Sequence, residues 1–305
     1  MSGAAMLVRL FLALAALIGF AAPAAAQRLE QRVIDAPGIG PMRVTVWLPA
    51  GYDAGRRRYG VVYMHDGQNL FDPAVSGMNK VWAVDRKVTE LVAAGTIDPV
   101  IVVGVWNPGA ARGRTYLPQP LFDALNDADR AAVLRFANGA PQSRAYIDFL
   151  AGPLKAQIDR EFRTLPGRAH TAIGGSSMGG IVSLYAFAEY PRIYGAALCL
   201  STHWPLAVPV AGAGPDPARV RAAWTEYLTR RLGRPDGRRI WFDHGTATLD
   251  AYYAPYQQAV DALLPRLGWR RGRDVESRVY PGAEHEENAW ARRLGDPLSF
   301  ALRRR

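Results

Sequence analysis

A serine framed by glycines constrains this chain more than any other feature. The segment His170-Thr-Ala-Ile-Gly-Gly-Ser-Ser-Met-Gly-Gly-Ile-Val-Ser-Leu-Tyr-Ala-Phe sets Gly175-Ser176-Ser177-Met178-Gly179 between a short apolar run and an apolar-periodic stretch. Such a pattern reads as strand, sharp turn, helix. A turn this tight leaves little room for a Cβ on either side of the serine. It lifts the hydroxyl clear of the sheet and aims the next amide at the space where an oxyanion would form. Ser177 is therefore the candidate nucleophile, and the Met178 amide a candidate oxyanion donor. The competing reading is a glycine-rich strand-to-helix turn without chemistry.

Residues 1–26 read as a secretory signal, because Arg9 precedes an apolar run from Leu10 to Ala22 and Ala24-Ala25-Ala26 offers a small-residue cleavage site before Gln27. The run is shorter than the ~20 apolar residues that span a bilayer. The expectation is an exported protein, periplasmic or secreted, with no stable membrane insertion once the signal is removed. Residues 27–305 are expected to form a single α/β-hydrolase domain, since a chain of roughly 250–300 residues can close around one core. The lone cysteine, Cys199, lies in an apolar run and cannot form an internal disulfide. Export rests on the signal alone.

Formal charge is +10, carried almost wholly by arginine, with Lys80, Lys87 and Lys155 the only lysines. The arginines are spread along the chain and include the runs Arg56-Arg57-Arg58, Arg270-Arg271 and Arg303-Arg304-Arg305. None of these groups is interleaved with aromatics, so a nucleic-acid partner is not expected.

Leu29 to Ile34 and Met42 to Leu48 alternate apolar and polar residues around Pro37-Gly38, which predicts an antiparallel hairpin. Tyr59 to Met64 and Pro99 to Val105 are continuous apolar runs, the mark of strands covered on both faces. Helices are predicted over Trp82–Ala94, Ser143–Phe162, the stretch after Ser177, 217–232, Ala251–Leu267 and Glu287–Leu302. Strands are predicted at 170–174, 194–200, 239–243 and 274–280. Alternation of this kind implies a mostly parallel sheet with helices on both faces, the hairpin adding an antiparallel edge. The predicted class is α/β, with an α/β-hydrolase architecture.

In that architecture the acid and then the histidine follow the nucleophile. Of five histidines, His285 lies just past the last predicted strand, where a general base would meet Ser177. His170 opens the strand leading to Ser177, at the opposite end of the sheet. Asp250, in a loop, and Asp243, at a strand end, both compete as the acid; the loop position reaches an imidazole more easily. Asp250 could instead cap the helix beginning at Ala251. After Met64 the chain reads His65-Asp66-Gly67-Gln68-Asn69-Leu70-Phe71-Asp72. Gly67 permits a tight turn that leaves the Gln68 amide as second oxyanion donor, with Asp66 expected to bond loop amides. Trp82, Trp106, Asn107, His203 and Trp204 fall near strand ends and are candidate substrate contacts, each also readable as packing. No HExxH or thiolate cluster occurs, and neither metal nor cofactor is expected.

Val61-Val-Tyr-Met-His-Asp-Gly-Gln-Asn-Leu-Phe-Asp, Gly174-Gly-Ser-Ser-Met-Gly-Gly and Gly282-Ala-Glu-His resemble the putative esterase family, which groups esterase D, enterochelin esterases, feruloyl and acetylxylan esterases, and mycolyltransferases. The resemblance covers most of residues 30–302. It implies a serine esterase acting on a small-molecule or glycan-linked ester. Ser177, His285 and a loop carboxylate, with spacing that favours Asp250, would form the triad, and Gln68 and Met178 the oxyanion hole. An acyltransferase on the same fold stays open. So does a non-catalytic binding module of the envelope, which would tolerate loss of Ser177 or His285; both are present.

Overall fold

A computed structural model describes residues 27–77, 79–209 and 214–303. The expected signal, residues 1–26, lies outside the described residues. Eight strands form one sheet: β1 (Arg28–Ala36), β2 (Gly40–Leu48), β3 (Gly60–His65), β4 (Val100–Val105), β5 (Thr171–Ser176), β6 (Ala196–Leu200), β7 (Arg239–Gly245) and β8 (Val275–Tyr280). Their spatial order is β1-β2-β4-β3-β5-β6-β7-β8. β1 pairs antiparallel with β2, and β2 with β4; the other neighbours are parallel. This is the α/β-hydrolase arrangement expected from the sequence.

Burial follows the pairing. β4, β5 and β6 are buried at every position, as strands covered on both faces must be. The edge strand β1 alternates towards solvent. Alternate residues of the central strands feed two cores. Val62, Met64, Val102 and Leu198 pack under Val84, Val88, Trp290 and Leu298 on one face. Tyr63, Val103, Ile173 and Cys199 pack against Tyr146, Ile181, Trp224 and Val260 on the other. After β3 the chain places β4 on one side of it and β5 on the other. Such a switch point opens a crevice at the carboxyl edge, the usual place for a ligand in open α/β sheets.

Several helices depart from expectation for local reasons. The segment 143–161 is helical but widens into a π turn at Leu150–Leu154, where Pro153 lacks an N–H for the ladder. The helix expected from Ala251 runs Ala254–Leu263, with 3-10 turns at Thr248–Tyr252 and Leu264–Leu267. The final helix divides into Glu287–Arg293 and Gly295–Leu302. Helices at Arg112–Tyr116, Gln119–Asp123 and Asp127–Ala137 were not anticipated. No helix among the described residues is long and apolar enough to cross a membrane.

Candidate active site

β5 ends in a bend that only small neighbours allow. A Cβ on Gly175 would meet the Gly179 backbone and the His65 side chain at 3.1 Å each. Ser177 holds φ 57° and ψ −123°, a conformation that side chains rarely adopt and that marks stored strain. Helix Met178–Glu189 starts at the next residue. The Met178 amide, in the first helical turn, has no carbonyl of the same helix behind it to accept its proton.

Residues distant in sequence converge on this serine. His285, in the loop after β8, places Nε2 2.9 Å from Ser177 Oγ and Nδ1 2.6 Å from Asp250 Oδ1. Asp250 is buried inside the 3-10 turn Thr248–Tyr252, not at a helix cap. Burial alone would raise its carboxyl pKa. The His285 side chain, the Ser201 hydroxyl and the Gly245 amide outweigh that and hold it below the usual carboxylate range. Asp243 points elsewhere: it accepts from Arg293 and from Trp241 Nε1.

The β3 loop carries the second expected donor. Gln68 lies in the 3-10 turn Gly67–Asn69. Gly67 rests so closely on β4 that a Cβ there would be 2.4 Å from the Gly104 carbonyl carbon. Asp66 differs from expectation: its carboxylate bonds Arg112 through two contacts, at 2.7 and 2.8 Å, and Asn107 Nδ2 at 2.7 Å, instead of loop amides. A guanidinium fork matches a carboxylate better than scattered amides do, and the loop is thereby fastened to the helix Arg112–Tyr116.

The candidate substrate contacts separate by burial. Trp204 is enclosed, with its indole N–H on Gln257 Oε1 and its ring against Trp224 and Phe242, so it belongs to the core. Trp82 is likewise buried, 5.6 Å from Trp290. Trp106 is half-buried and donates to Thr45 Oγ1, and Asn107 joins the Asp66 cluster. His203 contacts Ser177 directly, its amide donating to the Ser177 carbonyl oxygen at 3.1 Å. Burial, helped by the neighbouring His285, lowers its imidazole to about 3, which keeps it neutral.

Three residues near His285 had no sequence signal. Tyr253 places its hydroxyl 2.8 Å from His203 Nδ1 and 3.5 Å from His285 Nδ1. Burial, together with the Asp250 charge, raises its pKa well above the ordinary phenol value. Trp290 stands edge-on to His285, with centroids 5.0 Å apart. Ser201 bonds the far oxygen of Asp250. A cavity of about 650 Å³ is lined by Pro205, Ala251, Tyr252, Pro255, Tyr256 and Arg219 among others; Ser177, His285 and Asp250 are not among its lining residues.

A family model described as Putative esterase matches residues 39–300. The chain belongs to the Putative esterase family. This esterase-family chain is 24% identical over 156 residues to the uncharacterized protein YbbA of Bacillus subtilis (strain 168), covering 51% of this chain and 54% of that one. It spans about half the length of the curated relatives it matches. Among solved structures, a ferulic acid esterase superposes with TM-score 0.64 at 16% identity, over 90% of this chain and 98% of that one. An IroE-like serine hydrolase from Shewanella oneidensis gives TM-score 0.61 at 18% identity, over 89% and 79%. At such identities the likeness is one of fold.

Proposed function

We propose that this chain is an exported serine esterase that hydrolyses a carboxylic ester through an acyl-enzyme on Ser177. One observation carries the reading: Ser177 Oγ, both His285 nitrogens and Asp250 Oδ1 form a continuous hydrogen-bonded line, with steps of 2.9 and 2.6 Å. Donation of the Nδ1 proton to Asp250 leaves the Nε2 lone pair facing the serine, the tautomer a general base requires.

The reaction follows from this line. Nε2 removes the Ser177 proton as Oγ attacks the ester carbonyl carbon. The Met178 and Gln68 amides donate to the oxyanion that forms. Collapse of this intermediate breaks the bond to the alcohol, whose oxygen takes the proton back from His285. Water then attacks the acyl-enzyme with the same base assisting, releasing the acid and restoring Ser177. Asp250 stabilises the imidazolium at both stages.

A small-molecule or glycan-linked ester is the substrate class. The related folds named above include a ferulic acid esterase and a serine hydrolase. Export is supported by Arg9, the run Leu10–Ala22 and Ala24-Ala25-Ala26.

Fluorophosphonate labelling tests the nucleophile. Ser177→Ala should abolish labelling and turnover, while Ser176→Ala should keep both; the reverse pattern would move the nucleophile to Ser176. A panel of acetyl, feruloyl, thioester and catecholate esters, run with competing alcohols, then identifies the acyl group and separates hydrolysis from transfer.

A further inference from the structure

Behind Asp250 lies a serine whose hydroxyl has no freedom left. Ser201 directly follows β6, is fully buried, and holds φ at 41°. Glycine would adopt that backbone conformation at lower cost. Its Oγ is 2.6 Å from Asp250 Oδ2, 2.9 Å from Trp290 Nε1 and 2.6 Å from Arg293 Nη2. Indole and guanidinium nitrogens can only donate, so they occupy the hydroxyl's two lone pairs. Its single proton then has only Asp250 to go to. The chemistry of the neighbours fixes the direction of this O–H bond.

We propose that Ser201 is a positioning residue for the reaction: polarised by Arg293 and Trp290, its hydroxyl pins Asp250 Oδ2 so that Oδ1 is held against His285 Nδ1. The proposal rests on the triad reading above. Oδ2 receives both Ser201 Oγ and the Gly245 amide, leaving Oδ1 to His285. Two donors on one oxygen prevent the carboxylate from turning about its last torsion. Arg293 is itself fixed by Asp243, through Nε at 3.1 Å and Nη2 at 2.8 Å. Its Nη2 stands 3.8 Å from Asp250 Oδ2, beyond hydrogen-bond reach, so the serine carries the hydrogen-bonded link between them. Trp290 closes the loop, with its ring against His285 and its N–H on Ser201.

A buried serine that merely satisfied its neighbours would affect stability and leave the reaction alone. Kinetics separate the two roles. Ser201→Gly suits the backbone and removes the hydroxyl; it should lower kcat by about 10- to 100-fold through misplacement of Asp250, with KM unchanged. The downfield proton resonance of His285 Nδ1 should move upfield. In an Asp250→Asn background, Ser201→Gly should cost nothing further, because a residue acting only through Asp250 is non-additive with it. Wild-type kcat in Ser201→Gly, or an equal fractional loss in both backgrounds, would overturn the proposal. Should the glycine variant not fold, Trp290→Phe keeps a ring on His285 and removes one donor from the hydroxyl. A several-fold loss of kcat at constant KM supports the relay there, and none refutes it. Ser177→Ala in the same assay distinguishes the failures: activity without Ser177 sinks the triad itself, whereas an inactive Ser177→Ala beside a normal Ser201→Gly sinks only the positioning role.

Discussion

Asp243 and Arg293 face each other at 2.8 Å with both side chains buried, and this pairing decides which of two carboxylates serves His285. Asp243 is the counter-ion of a buried guanidinium; of the two carboxylates only Asp250 contacts the imidazole. Asp250→Asn should therefore keep a near-normal melting temperature and lose ~10⁴-fold in turnover through the wrong tautomer. Asp243→Asn should leave Arg293 without its hydrogen-bonded counter-charge, only the more distant Asp250 remaining, and cost about 3 kcal/mol of stability, as broken buried pairs do, with a far smaller loss of turnover. Turnover and denaturant midpoints for the two variants check this, and a reversed pattern would make Asp243 the acid.

The close approach of Gly67 to β4 makes the proposed oxyanion hole testable without touching a donor. Gly67→Ala must push the turn off Gly104 and carry the Gln68 amide with it. A fall in kcat of ~10²-fold or more is expected, the size seen when one oxyanion donor is lost. Gly167→Ala, where a Cβ meets nothing within 4 Å, should behave as wild type. Normal kcat in Gly67→Ala would remove Gln68 from the mechanism.

Acid should destabilise the fold before it reaches the carboxylates. Burial lowers His65 and His203 from 6.5 to about 3. Both stay neutral when folded and bind protons when unfolded, so stability falls as pH drops from about 6.5 towards 3. At pH 5 each costs about 2 kcal/mol. Asp250 and Asp66, held below the ordinary carboxylate range, act in the same direction at lower pH. Urea unfolding at pH 8 and pH 5 measures the loss, which His65→Gln should reduce; a stability unchanged between the two would refute it.

Export predicts a mass. Protein recovered from periplasm or medium should begin near Gln27, and recovery of the full-length chain from cytosol alone would contradict the signal reading.

The sheet and the line from Ser177 to Asp250 were legible because their signals are local: apolar runs for covered strands, a glycine-flanked serine, a histidine after the last strand. What escaped depends on contacts across long stretches of sequence. Asp66 looked like a loop-binding aspartate because Arg112 is 46 residues away. Ser201 lies 49 residues from Asp250 and 92 from Arg293, and its backbone angle leaves no trace in composition. The helix Asp127–Ala137 did carry a signal, with Asn126 capping the Asp129 amide and Asn138 in a left-handed conformation closing it. Its mixed outer face hid the helical period. Trp82 and Trp204, readable from the sequence as substrate contact or packing, turn out buried, since nearness to a strand end says nothing about which way a ring turns.

The backbone at Ser177 sets activity against durability. Its φ of 57° and ψ of −123° suit glycine, and under the proposed mechanism the benefit of a hydroxyl there is chemical. Selection for heat tolerance alone, with no demand for turnover, should drift towards glycine at this position. On the proposed mechanism, the serine at this position trades some robustness of the fold for turnover.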